Sequence, residues 1–207
     1  WPRSAHYWIN NQDDNGWSAL MHASAKGKSN TVQALLEARA NVKLKTKDGW
    51  TALMMAVGEG HIDIVQTLLS SGSDVNVKTN DGGTVLMQAS SVGRNDMVAA
   101  LLAKGADVNA KTNDGGTALM VATGEGHSET VKALLDGGAE VNVKGGGGWT
   151  PLMQAASKGH VEITQALLGK GADMDAKTDD GWTALRMAVG GGHADIVGAL
   201  RDAGATH

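Results

Sequence analysis

The amino-acid sequence predicts an all-α solenoid built from six units of 33 residues. Two glycine columns recur at that period without exception, and a leucine pair follows the second column in five of the six units. Such a unit cannot bury its apolar face alone, so consecutive units are expected to stack around one continuous core. The opening glycines are Gly16, Gly49, Gly82, Gly115, Gly148 and Gly181, and the second column is Gly27, Gly60, Gly93, Gly126, Gly159 and Gly192.

The second unit shows how each repeat is expected to form two short helices. Thr51 can cap a first helix extending to about Glu59, because its hydroxyl accepts a hydrogen bond from an unpaired amide. Gly60 can adopt the left-handed conformation that ends this helix. A second helix is expected to begin near His61, with Asp63 in its first turn, where the helix dipole favours a negative charge.

The second helix carries one apolar face, formed here by Ile64, Val65, Leu68 and Leu69. Gly72 is expected to end it, and an extended hairpin leads to the next opening glycine. Both helices are shorter than the roughly 12–15 residues at which isolated helices become stable in water. Their stability is therefore expected to come from stacking against neighbouring repeats.

The run GADVNAK at residues 105–111 and the run TPLM at residues 150–153 resemble ankyrin signatures, and the resemblance covers residues 8–205. It implies stacked helix-turn-helix units joined by β-hairpin loops. The chain departs from the family where Thr-Pro-Leu-His is usual, since methionine or Arg186 replaces the histidine and proline survives only at Pro151. The hydrogen bonds that this histidine makes between hairpins in the family are therefore not expected here.

The first fifteen residues do not fit the repeat. Residues 9–12 continue a hairpin, but the helices that should precede it are replaced by a segment containing Trp1, Tyr7 and Trp8. Residues 1–15 are therefore predicted to be an N-terminal cap or the remnant of a preceding repeat. Because the chain starts at Trp1 and not at methionine, we expect it to be a processed or excised product.

Residues 16–207 hold the six repeats, and the last is predicted to be a polar C-terminal cap. Arg186 replaces the recurring methionine and Arg201 replaces the second leucine, which keeps an uncovered end soluble. Arg39 stands where the other second helices end at glycine, and a left-handed non-glycine residue costs about 1 kcal/mol. Four glycines at residues 145–148 replace the usual hairpin tip, which predicts a loosened loop or, alternatively, a hinge.

Composition argues against several classes of function. The formal net charge is −4 and no basic stripe is visible, which disfavours nucleic-acid binding. No apolar run approaches the roughly 20 residues that span a bilayer, and no signal-peptide pattern is present. The absence of cysteine excludes disulfides and thiolate chemistry. It suits the cytosol, and we expect a cytoplasmic, monomeric protein.

Neither metal nor catalytic chemistry is indicated. His61, His127, His160 and His193 recur once per repeat, so neighbours are expected about 8–10 Å apart, whereas zinc needs ligands about 2 Å from one ion. Each is predicted to lie at the turn between two helices. Gly27-Lys28-Ser29 ends like a phosphate-binding loop but lacks the preceding glycine. We predict no cofactor, no metal and no enzymatic activity.

The resemblance implies that a partner docks on a concave strip of hairpin tips and first helices. Contacts are expected at positions that vary between units. Tryptophan follows the opening glycine in four units and is enriched in binding hot spots, although each ring could instead cover the neighbouring hairpin. The recurring methionine is predicted to be core. The candidate residues are Trp17, Trp50, Met55, Glu59, Gln88, Val121, Glu125, Trp149, Gln154, Lys158, Trp182 and Met187.

Three hypotheses for function stay open. The chain is a natural adaptor that binds a protein or peptide, an engineered or selected scaffold with no natural partner, or the regulatory fragment of a larger enzyme. The regular period and the absence of cysteine favour a scaffold. Framework changes such as Arg39 and Gly145 favour natural divergence. The first hypothesis, a non-catalytic protein-protein interaction module, is the preferred one.

Overall fold

The computed structural model describes residues 8–206, and within them it forms twelve α-helices, two in each repeat, with no strand beyond isolated bridges. The first helices of the repeats are α1 (Ala19–Ala25), α3 (Ala52–Glu59), α5 (Val85–Ser91), α7 (Ala118–Glu125), α9 (Pro151–Lys158) and α11 (Ala184–Gly191). The second helices are α2 (Ser29–Glu37), α4 (Ile62–Ser70), α6 (Asn95–Ala103), α8 (Ser128–Asp136), α10 (Val161–Gly169) and α12 (Ala194–Asp202). The predicted all-α solenoid is confirmed.

Every first helix begins at a hydroxyl cap. Ser18 in the first repeat and threonine in the others accept a hydrogen bond from the amide three residues later, at 3.3–3.4 Å. The helix predicted from Thr51 to Glu59 is confirmed, and Gly60 ends it at a φ of +82°. Because the cap recurs in each repeat, all six first helices start at equivalent positions.

Stacking builds the core, as the short helices require. Each first helix contacts the first helix of the next repeat, and each second helix contacts the next second helix. The apolar face predicted for α4 is buried, and Leu68 and its equivalents Leu101, Leu134, Leu167 and Leu200 are fully buried. Burying one such side chain stabilises the fold by about 1.5–3 kcal/mol. The recurring methionines Met21, Met54, Met87, Met120 and Met153 are also buried, which confirms their assignment to the core.

The histidines lie at the turns between helices, as predicted, and connect consecutive repeats. The Nε2 atoms of His61, His127 and His193 lie 3.3, 3.0 and 3.1 Å from carbonyl oxygens in the first helix of the preceding repeat. His160 differs, because its buried Nε2 has no partner among the described residues. The corresponding carbonyl of Gly124 instead accepts from the ammonium of Lys158 at 2.8 Å.

At the N-terminal end, the predicted cap is described only from residue 8, so Trp1 and Tyr7 lie outside the described residues. Trp8 and Ile9 are helical, so the hairpin predicted from residue 9 begins only after Ile9. The side-chain oxygen of Asn10 accepts from the amide of Asn41 at 2.8 Å, and Nε2 of Gln12 donates to the carbonyl of Lys45 at 2.7 Å. Residues 10–12 therefore contact the first repeat as a preceding hairpin would.

At the other end, Arg186 and Arg201 are both exposed, in keeping with the predicted polar cap. The outer face is nevertheless mixed in character. Val189 is 56% exposed, and it lines an open apolar hollow together with Val197 and the stem of Arg201. The polar replacements therefore cover only part of the last repeat.

Arg39 adopts the conformation that its position requires of glycine. Its φ is +66°, and among the described residues no other non-glycine residue has a positive φ. The equivalent Gly72 has a φ of +85°. The predicted left-handed geometry is confirmed, so arginine occupies a backbone conformation that strains a side chain.

Candidate partner-binding groove

The hairpin between repeats is a tight turn that fixes the residue after the opening glycine. The amide of Thr46 donates to the carbonyl of Trp50 at 2.9 Å, and the amide of Trp50 donates back to the hydroxyl of Thr46 at 3.1 Å. Thr178 and Trp182 repeat both bonds at 3.0 Å. Threonine therefore holds the backbone of Trp50 and Trp182, while Asp13 takes this place at Trp17, where its carboxylate accepts from the amide of Trp17 at 2.9 Å.

Asparagines and backbone amides connect neighbouring hairpins. The amide of Asn80 donates to the carbonyl of Asp48 at 3.0 Å, and its side-chain amide donates to the carbonyl of Lys47 at 2.9 Å. Asn113 repeats this pattern on the carbonyls of Asp81 and Asn80. The chain therefore connects its hairpins without the histidine that the family usually places there.

The glycine hairpin keeps its contact on one side only. The amide of Gly145 donates to the carbonyl of Trp149 at 2.9 Å, which closes the turn, and the carbonyl of Gly147 accepts from Asp179 at 3.0 Å. Within residues 8–206, no hydrogen bond joins the amide of Gly146 to Asp114, the equivalent contact towards the preceding repeat. The predicted loosening of this hairpin therefore affects only its contact with the preceding repeat.

Acidic residues at the tips give the hairpins a negative rim. The hydroxyl of Thr79 donates to the carboxylate of Asp81 and lowers the pKa of that carboxyl. The hydroxyl of Thr112 lowers the pKa of Asp114 in the same way. The lowered pKa values extend the ionised state of both carboxylates to more acidic pH.

Three cavities lie in a row below these tips. The first, about 270 Å³, extends from Trp50 to Val121. The second, about 440 Å³, extends from Val121 to Trp149. The third, about 440 Å³, extends from Trp149 to Trp182. Adjacent cavities share a lining residue, Val121 or Trp149, so the three follow one another along the repeats, and we call them together the groove.

Nine of the twelve candidate residues line the groove. They come from the hairpin tips and from the first helices of five repeats, the second to the sixth. Glu125 and Lys158 face one cavity with opposite charges. The nine residues are Trp50, Gln88, Val121, Glu125, Trp149, Gln154, Lys158, Trp182 and Met187. Trp17, Met55 and Glu59 do not line it.

The tryptophan column both packs and lines the groove. Trp17, Trp50 and Trp149 are partly buried against the core, while Trp182 is 40% exposed. The ring of Trp17 lies 4.9 Å from that of His22. The two interpretations of this column are therefore compatible, since a ring that covers a neighbour can also expose one edge to a partner.

Sequence reasoning missed the acidic residues of the groove. Asp81, Asp114 and Asp180 line it, but they stand one residue before the opening glycine and were not among the candidates. Their period was visible, since aspartate also precedes Gly49. Treating this column like the tryptophan column would have found them.

A model of three ankyrin repeats matches residues 4–79, 71–145 and 144–207. The chain belongs to the ankyrin repeat family. Ankyrin repeats are in general protein-protein interaction modules and are typically non-catalytic. A search of curated proteins finds no match to the chain.

Two other features are absent from residues 8–206. None of their helices is both long and apolar enough to cross a bilayer. No three histidine, cysteine, aspartate or glutamate side chains among them are placed to share a metal ion.

Proposed function

We propose that the chain is a non-catalytic module that binds a protein or peptide in the groove. The succession of three cavities carries this proposal, because it offers an extended segment lining residues from five consecutive repeats. The groove mixes aromatic, apolar and charged side chains, the composition of surfaces that recognise proteins. The proposal includes four further properties: the chain is monomeric and cytosolic, and it binds neither nucleic acid nor membranes.

The test reverses charges in the groove without disturbing the core. Glu125→Lys combined with Lys158→Glu exchanges two opposite charges of the second cavity and leaves the net charge unchanged. The matched control is Asp136→Lys with Lys170→Asp, which exchanges an exposed ion pair whose atoms lie 2.9 Å apart outside the groove. Each protein is immobilised, exposed to cell lysate and analysed by mass spectrometry, with circular dichroism to verify folding.

We expect a protein retained by the unmodified chain and by the control to be lost from the groove variant. Charge reversal at a rim weakens association by removing electrostatic complementarity. Equal retention by all three proteins would place the binding surface elsewhere and contradict the proposal.

A further inference from the structure

The cavity at the C-terminal end of the groove has two aromatic walls. Trp149 and Trp182, which stand at equivalent positions of consecutive hairpins, both line it, together with Met187 and Asp180. Trp182 is 40% exposed. Of the eight described residues that line this cavity, Asp180 is the only charged one.

An aromatic wall beside a carboxylate favours a cation. The face of an indole ring carries partial negative charge and attracts ammonium and guanidinium groups. Trp182 already shows this property, because the guanidinium carbon of Arg186 lies 4.4 Å from the centre of its ring. The same ring borders the cavity, and Arg186, although it stacks on this ring, is not among the described residues that line the cavity.

The charged residues along the rest of the groove are mostly acidic. Asp81, Asp114 and Glu125 line the other two cavities, against a single cation, Lys158. The ammonium of Lys158 is already bonded to the carbonyl of Gly124 at 2.8 Å. The surface is therefore complementary to a partner segment that carries positive charge.

The lysines of the hairpins do not supply the positive charge that would balance the acidic residues of the groove. Lysine stands one residue before each tip threonine at Lys45, Lys78, Lys111 and Lys177, yet none of these lines the three cavities. Lys78 donates its ammonium to the carbonyl of Lys111 at 2.9 Å. Their charge is thus directed along the hairpins.

The other end of the tryptophan column differs. Trp17 and Trp50 also stand on consecutive hairpins, but His22 of this chain packs against the ring of Trp17 and lies 3.3 Å from Asp13. The equivalent of His22 in the last repeat is Met187, which lines the third cavity. Only the Trp149–Trp182 pair thus combines two rings, an acidic residue and an open cavity among the described hairpins.

We propose that the cavity between Trp149 and Trp182 binds a lysine or arginine side chain of an extended partner segment lying in the groove. This inference rests on the proposed function and specifies its partner. The apolar stem of such a side chain contacts the rings and Met187, while Asp180 provides the opposite charge. A basic segment of a protein is therefore the class of partner that this end of the groove recognises.

The test uses short glycine-serine peptides with one central lysine or arginine, and a neutral control peptide with norleucine at that position. Each is titrated into the full chain, and the indole N–H signals of the tryptophans are followed by nuclear magnetic resonance. We expect the basic peptides to shift the signals of Trp149 and Trp182, with an affinity about tenfold above that of the norleucine peptide.

Two groove variants and one control sharpen the result. Asp180→Asn keeps the size of the side chain but removes its charge, and Trp182→Ala removes one exposed ring. Both are expected to lose most of the difference between the basic and neutral peptides. Asp195→Asn, an exposed aspartate in the first turn of α12, is expected to behave like the unmodified chain.

Equal shifts with the norleucine peptide, shifts at other tryptophans only, or full binding by Asp180→Asn would each overturn the inference. The lysate experiment distinguishes this failure from failure of the proposed function. A captured protein that is lost on charge exchange at Glu125 and Lys158, but retained by Asp180→Asn and Trp182→Ala, would leave the groove as the binding surface and exclude a cation site at its end.

Discussion

Val57 in the second repeat and Val189 in the last repeat occupy the same position, yet the first side chain is 0% exposed and the second is 56% exposed. Both follow the same threonine cap and lie in first helices of eight residues, α3 and α11. Their local sequences are nearly identical, since ALMMAVGE becomes ALRMAVGG. The difference comes from the following repeat, which covers Val57, whereas within residues 8–206 no repeat follows to cover Val189.

This comparison shows that burial in the chain is a property of stacking. The five earlier residues of this column are all fully buried, although two are serine and one is threonine. Polarity at this position therefore does not prevent burial where a neighbour follows. Met54 and Arg186 differ in the same way, because methionine is buried where a repeat covers it and arginine is exposed where none does.

The largest expected effect comes from exchanging these last two residues. Met54→Arg places a charge without a partner in a site that is 2% exposed. We expect a loss of at least about 3 kcal/mol of unfolding free energy, since an uncompensated buried charge is severely destabilising. Urea unfolding followed by circular dichroism measures it, and uncoupling of the first two repeats would appear as a second transition.

The reciprocal change, Arg186→Met, is the control for this prediction. Arg186 stacks on Trp182 at 4.4 Å, so its replacement is expected to cost only about 0.5–1 kcal/mol. Losses of similar size for the two substitutions would mean that the following repeat does not determine their environments, and the comparison would fail.

The sequence predicted the repeat architecture because each unit carries its own stop and start signals. Thr51, Gly60 and Gly72 determine where helices begin and end through local geometry, which no distant contact has to supply. The position of Arg39 within the 33-residue period was enough to assign it a left-handed backbone. By contrast, the half-burial of Trp149 depends on how neighbouring hairpins pack, which no local pattern reports.

The groove was predictable in outline only. The period identified the variable columns, and nine of their residues line one surface. Two details were not predicted: no bond joins Gly146 to Asp114 among the described residues, and Lys158 replaces His160 as the donor to the carbonyl of Gly124. Such choices depend on distances that the sequence does not contain.

A second test, with a smaller expected effect, concerns Thr123, which occupies the position equivalent to Val57 and Val189. Its hydroxyl is buried with no hydrogen-bond partner among the described residues, whereas that of Ser90, one repeat earlier, donates to the carbonyl of Leu86 at 2.7 Å. Thr123→Val removes the unpaired group without changing the volume of the side chain. We expect a gain of about 1–2 kcal/mol, measured as a higher urea midpoint at constant slope.

Position 189 supplies the control for that gain. Val189→Thr introduces the same hydroxyl where it is largely exposed to water, so we expect almost no change in stability. If Thr123→Val leaves the urea midpoint unchanged, the hydroxyl must have a partner in solution, and stacking would then not impose a cost on polar residues in this column.

The smallest expected effect concerns a position whose energetics do not depend on the neighbour. Arg39 and Gly72 both have a positive φ, and a Cβ atom added to Gly72 would meet no other atom within 4 Å. Backbone strain is therefore the main difference between arginine and glycine there. Arg39→Gly is expected to gain about 1 kcal/mol and Gly72→Arg to lose about the same amount, measured by urea unfolding.

The two substitutions test one another because they exchange the residues of consecutive repeats. Changes of opposite sign and similar size would show that the end of a second helix is governed by local backbone geometry. A loss of unfolding free energy at position 72 several times larger than the gain at position 39 would instead indicate that contacts between repeats also act there. The helix ends could then no longer be counted among the positions that the local backbone determines.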